Sequence, residues 1–160
     1  MVIHKNMFDG EGPRPTIMVS GGFDPVHVGH IRMIRAAAEY GDVIVIANSD
    51  EWLHRKKGFN FMDFKSRYEI LDSIKGVLLV DSVDDSDGTV CDALKRHKPT
   101  FFANGGDRGK DNTPEVLLCK ELGIELLWGI GGEEKIEIKR TRDCESETPP
   151  VRAIGKHSGR

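Results

Sequence analysis

Apolar and polar positions alternate along this chain in two rhythms, and the switches between them mark out its elements. Thr16-Ile17-Met18-Val19-Ser20 is a short, mostly apolar run that ends at Gly21-Gly22 and reads as a buried strand. From Val28 to Tyr40 the residues Ile31, Ile34 and Ala38 recur at helical spacing, and Gly41 supplies the stop. Asp42-Val43-Ile44-Val45-Ile46-Ala47 is β-branched and apolar on both faces, as central parallel strands are. The rhythm then repeats. Phe64, Tyr68 and Leu71, with Ile70 and Ile74, predict a helix from about Asp63 to Lys75, and Val77-Leu78-Leu79-Val80 a third strand. Val90 to His97 reads as a helix and Thr100-Phe101-Phe102-Ala103 as a fourth strand. Thr113 as N-cap, Pro114 at the first helical position and Gly123 just past the end bracket another helix. Ile124 to Trp128 is a fifth strand. This alternation predicts an α/β fold, a Rossmann-like three-layer sandwich around a five-stranded parallel sheet.

The ends of the chain read differently. Pro13 and Pro15 discourage regular structure, so residues 1–15 read as an N-terminal arm, and residues 16–132 as the folded domain. After Gly132 the charges crowd together, and the stretch from Thr148 holds Pro149, Pro150 and few apolar residues. Residues 133–160 are therefore expected to form a charged segment, a frayed helix followed by disorder.

Composition narrows the function classes. Among 160 residues, Lys and Arg total 23 against 26 Asp and Glu, a net charge of -3. That balance argues against nonspecific nucleic-acid binding, which needs a basic surface, yet leaves room for a local cationic site for phosphate. No stretch is long and apolar enough to span a bilayer, and residues 1–15 contain no apolar core of a secretory signal. Cys91, Cys119 and Cys144 are scattered, with no CxxC pair, which suits a reducing cytoplasm.

The chemistry concentrates at the first strand-to-helix junction, Ser20-Gly21-Gly22-Phe23-Asp24-Pro25-Val26-His27-Val28-Gly29-His30. It is neither a dinucleotide fingerprint nor a Walker loop, and Gly109-Lys110 is followed by Asp111 where such a loop has Ser or Thr. Glycine at the strand exit lets backbone come close to a phosphate, and His27 and His30 stand on one face at a helix start, where anions are favoured. Read blandly, such histidines are solvated or capping residues. As a zinc pair they lack a third ligand at metal-site spacing. Asp24 reads as an Asx-type turn stabiliser beside Pro25, or as an acceptor or metal contact. Trp52 and Trp128 read as packing residues, and Lys57 and Arg67, on their own, as solvated charges.

The block from Gly22 to His30 resembles the HxGH signature of the cytidylyltransferase-like nucleotidyltransferases, and the resemblance extends from about Thr16 to Gly132. Closest in pattern are glycerol-3-phosphate cytidylyltransferases and heptose 1-phosphate adenylyltransferases. The resemblance implies transfer of a nucleoside monophosphate from CTP or ATP to a phosphorylated small acceptor, a sugar or polyol phosphate, with release of pyrophosphate and with Mg²⁺ accompanying the triphosphate. It implies catalytic roles for His27, His30 and Lys57, and nucleotide contacts for Gly22, Phe23, Lys56, Arg67, Gly105, Gly106, Asp107 and Arg140. It brings no nucleic-acid or membrane partner, and it leaves a homodimer open. One departure stands out: where the family places a Ser/Thr-rich motif, this chain has Glu137-Ile138-Lys139-Arg140-Thr141-Arg142. A protein of the same fold that binds nucleotide without turnover is therefore the rival reading.

Overall fold

The computed structural model describes residues 13–104 and 113–131. Within them the elements run β1 (Thr16–Gly21), α1 (Val28–Ala37), β2 (Asp42–Ala47), α2 (Asp50–Lys57), α3 (Phe64–Asp72), β3 (Val77–Asp81), α4 (Cys91–His97), β4 (Phe101–Asn104), α5 (Pro114–Leu122) and β5 (Glu125–Trp128). The five strands form one sheet in the order β3-β2-β1-β4-β5. Every pairing is parallel. The expected α/β sandwich is the fold, and β1 lies at its centre.

Two helical details differ from the sequence pattern. The α1 helix ends at Ala37, capped at Ala38, rather than reaching Tyr40. The α2 helix has no counterpart in the hydrophobic rhythm, because Leu53 is its one buried residue. Its signals are at its ends. Ser49 accepts a hydrogen bond from the Trp52 amide at 3.0 Å, Asp50 and Glu51 occupy the first turn, and Gly58 closes the helix at φ 84°.

Strand alternation divides the core between the two faces of the sheet. Ile17, Val19, Val43 and Val45 pack with Ile34 and Ala37 of α1 and Leu71 of α3. Met18, Ile44 and Ile46 face the other way, toward Ala93 and Leu94 of α4 and Cys119 of α5. β1 and β2 are thus covered on both sides, which is why their sequences are apolar throughout. Cys91 and Cys119 are free thiols. No helix among the described residues is long and apolar enough to cross a membrane.

The entry into the sheet is tight. The Pro15 carbonyl accepts the Asp42 amide at 3.0 Å, and a Cβ added to Gly41 would lie 2.3 Å from that carbonyl oxygen. Gly41→Ala should therefore destabilise the fold by about 1–3 kcal/mol, the usual cost of overpacking. The urea midpoint measures it, and an unchanged midpoint would mean that residues 13–15 do not hold this position in solution.

Candidate active site

The chain leaves β1 through α1 to β2 on one side, whereas β4 lies on the other side of β1. The carboxyl end of β1 is thus the switch point of the sheet, where parallel α/β folds open a crevice. A cleft of about 270 Å³ lies there, walled by Gly22 to Pro25, by His27 and His30, and by Trp52, Leu53, Lys56 and Lys57 of α2. The backbone enters it through an uncommon turn, with Phe23 at φ 51°. Gly22 is small for a packing reason, since a Cβ there would meet Leu53 Cδ2 at 2.9 Å.

His27 and His30 cap their own helix. His27 is the N-cap residue, and its Nδ1 accepts the Gly29 amide at 3.1 Å. His30 Nδ1 accepts the His27 amide in return at 3.2 Å. This is a capping box built from two imidazoles. The rings stack at 3.9 Å between centroids, and the buried Phe23 ring meets His30 edge-on at 4.8 Å. A ring nitrogen that accepts an amide carries no proton, so in the neutral rings the proton resides on Nε2. Each histidine thereby keeps one N–H donor for the cleft. Burial, and secondarily the neighbouring His27, pulls the His30 imidazole from 6.5 down to about 4, so it stays neutral at physiological pH.

The α2 helix brings the cations. Lys57 Nζ lies 2.9 Å from both the backbone oxygen and Oδ2 of Asp24. Its ammonium also stands over the rings of Phe59 and Phe61, at 4.9 and 5.2 Å from their centroids. Asp24 additionally accepts the Phe61 amide on Oδ2 at 2.8 Å and the Met62 amide on Oδ1 at 2.7 Å. Lys56 Nζ rests 5.1 Å from the Trp52 ring centroid at the cleft wall.

Beneath the cleft is a buried polar layer. Arg67, 0% exposed, donates from NH1 to the Gly22 carbonyl at 2.9 Å and the Asn48 carbonyl at 2.8 Å. Its Nε reaches the Met62 carbonyl at 3.2 Å, and NH2 pairs with Asp50 at 2.6 Å. Beside it, the buried Asp85 accepts from the Asn48 side chain at 3.0 Å and from the Ser49 amide and hydroxyl at 2.8 and 2.7 Å. Burial alone would raise the Asp85 carboxyl, but these donors outweigh it and hold it below the usual carboxylate range.

Comparison with known proteins settles the family. The cytidylyltransferase-like family model matches residues 18–135. The chain belongs to the cytidylyltransferase-like family. It is 32% identical over 120 residues to the FAD synthase of Pyrococcus horikoshii, covering 73% of this chain and 80% of that protein. It is 31% identical over 118 residues to the D-beta-D-heptose 1-phosphate adenylyltransferase of Bordetella bronchiseptica, covering 71% and 72%. It also matches the bifunctional protein HldE of Geobacter metallireducens at 32% identity, but spans only 26% of that longer protein. A lipopolysaccharide core biosynthesis protein from Thermoplasma volcanium shares the fold, with TM-score 0.61 and 20% identity over 72% of this chain and 96% of that one.

On this cytidylyltransferase-like frame, the structure gathers Gly22, Phe23, His27, His30, Lys56 and Lys57 around one cleft. The Phe23 ring is buried, so only its backbone is offered to a ligand. Arg67 is neither a solvated charge nor open to the cleft. Four of its five N–H donors are engaged by the protein itself. Asp24 is an acceptor for Lys57 and the 61–62 backbone rather than a local turn stabiliser. Trp52, read as a packing residue, lines the cleft. The expected contacts at Gly105, Gly106, Asp107 and Arg140 lie outside the described residues.

Sequence reasoning missed the half-buried Asp50, which pairs with Arg67, and the buried Asp85, which holds Asn48 and Ser49. The Ser49-Asp50-Glu51 capping pattern was a signal for the first. The second had none, being a loop aspartate among others. Asp24 is the one carboxylate among the described lining residues, and its oxygens are already engaged.

Two measurements check this account. The unfolded chain protonates His30 near the ordinary 6.5 and the folded chain only near 4. The stability that neutral His30 supplies is therefore complete above pH 6.5 and is lost as pH falls towards 4. His30→Gln retains an N3 capping acceptor without the titration. Between pH 7 and 5 the wild type should lose more stability in urea than this variant, and parallel losses would count against the assignment. Arg67→Met should cost about 3–5 kcal/mol, because Asp50 and three carbonyls lose their donor. A wild-type melting temperature would contradict that.

Proposed function

We propose that this protein transfers a nucleoside monophosphate from a nucleoside triphosphate, ATP or CTP, to a phosphorylated small acceptor, releasing pyrophosphate. The observation that carries the reading is the reciprocal histidine cap at the carboxyl end of the central strand, with Nδ1 of both rings turned to backbone. This leaves two Nε2–H donors at an α-helix N-terminus beside two lysines. The names of the relatives favour adenylyl transfer: one is an adenylyltransferase of a heptose 1-phosphate, and FAD itself carries an adenylyl group on a flavin ribityl phosphate. Both acceptor types present a phosphate monoester, consistent with a sugar or polyol phosphate.

A phosphate monoester is largely dianionic at neutral pH, since its second pKa is about 6. Its oxygen attacks the α-phosphorus of the triphosphate, the new P–O bond forms, and the bond from the α-phosphorus to the bridging β-oxygen breaks. Pyrophosphate leaves with that electron pair. No proton has to move, so no general base is needed. The protein's part is alignment and stabilisation of charge. In this reading His27 and His30 donate to the α-phosphate oxygens, and Lys57 and Lys56 face the remaining phosphates. Mg²⁺ enters with the triphosphate.

Release of pyrophosphate is the direct test, with MgATP and MgCTP each offered against a panel of sugar, polyol and flavin phosphates. Triphosphate binding without release under every combination would favour a binding protein over an enzyme. In the active pairing, His27→Ala or His30→Ala should lower kcat by about 10²–10³ with little change in triphosphate binding, because these donors gain most as charge grows on the reacting phosphorus. Lys57→Ala should raise KM as well. Near-normal kcat in both histidine variants would overturn the site.

A further inference from the structure

Lys57 is the cation closest to the histidines in role, yet its charge is not free. We infer that Asp24 is a positioning residue of this site: it fixes the Lys57 ammonium at the cleft and, as its counter-charge, holds down the attraction of the resting site for a triphosphate. The inference rests on the proposed phosphoryl-group chemistry but concerns a residue which that chemistry does not itself use.

The geometry carries it. The Asp24 side chain is 1% exposed, whereas that of Lys57 is 28% exposed. The carboxylate is therefore the fixed member of the pair, and the ammonium is the member that meets the cleft. Asp24 is fixed from two directions. Its backbone lies in the turn after β1, and its carboxylate accepts the Phe61 and Met62 amides of the segment joining α2 to α3. Lys57 is the last residue of α2, and its Nζ bonds both the carboxylate and the backbone oxygen of Asp24. Two of its three N–H donors are thus committed, and one remains for a ligand. The rings of Phe59 and Phe61 beside the ammonium limit where it can move.

Two consequences follow from charge. A carboxylate in contact with the lysine opposes the approach of an anion, so the pair attracts a triphosphate less than a bare lysine would. The placement of the ammonium is nonetheless determined, and misplacing a reacting-site group by about 1 Å costs up to about 10² in rate. Strict placement with a reduced ground-state attraction leaves the larger part of the lysine's contribution for the transition state, where charge shifts toward the departing pyrophosphate.

The test separates this role from simple support of the fold. Asp24→Asn removes the counter-charge at nearly constant shape. It should bind pyrophosphate and ATP, each with Mg²⁺, on the order of three- to tenfold more tightly than wild type by isothermal titration at low salt. In the active pairing its kcat should fall about tenfold or more while KM for the triphosphate falls or holds. A merely structural residue would instead weaken binding and turnover together. Asp24→Ser makes the same charge change and can still accept one loop amide, so it is measured where Asp24→Asn lacks a cooperative melt. Unchanged or weaker binding in the folded variant overturns the inference, and so does loss of cooperative folding in both variants, which would assign Asp24 to stability alone. Failure of the proposed function looks different: the wild type then releases no pyrophosphate with any acceptor, while the affinity comparison still decides the role of Asp24.

Discussion

The site depends on one buried cation. Arg67 reaches from α3 under the sheet's switch point and ties the Gly22 and Asn48 carbonyls, which leave the ends of β1 and β2, to the Met62 carbonyl and the Asp50 carboxylate. A guanidinium at 0% exposure is tolerable only because its donors are met by fixed acceptors in a fork that matches its geometry. With those strand ends tied together, Gly22 passes close to Leu53, α2 stands beside the β1–α1 turn, and the cleft lies between them. Asn48, Ser49 and Asp85 extend the same polar layer sideways and start α2.

On that base each histidine caps the helix with one ring nitrogen and keeps the other for the cleft. Capping needs an acceptor, which each ring supplies through Nδ1, and stabilising a phosphate needs a donor, which Nε2 supplies. The capping and ligand-binding readings of an HxGH block are therefore not rivals. Burial, and secondarily the neighbouring His27, keeps His30 neutral, so its acceptor survives at physiological pH. The cationic contribution comes instead from α2, where the Lys57 charge is tied to Asp24. The result is a cleft with localised donors in which the Lys57 charge is opposed by Asp24.

The described cleft lies well before Gly132, after which the sequence departs from the family pattern. The cleft is assembled within residues 22–57, from the turn after β1 and from α2, over the layer that Arg67 holds, all inside the stretch that the family model matches.

Much of the fold was legible because burial on both faces leaves continuous apolar runs such as Val43 to Ala47, and helices between them repeat at Ile31, Ile34 and Leu71. His27 and His30 stood out because their spacing at a strand exit is unusual without a ligand. The α2 helix was not legible from hydrophobicity, since one buried leucine sets no period, though its capping residues were in plain sight. The partners of Asp24 and Arg67 could not be read at all. An aspartate before a proline and an arginine on an amphipathic helix have the same local sequence whether they face solvent or a distant partner. Asp24 meets Lys57 across 33 residues, and Arg67 meets Gly22 across 45. Local propensity and burial period determine the elements and their order. Which charges end up opposite one another is decided only when β1, α2 and α3 converge on one end of the sheet.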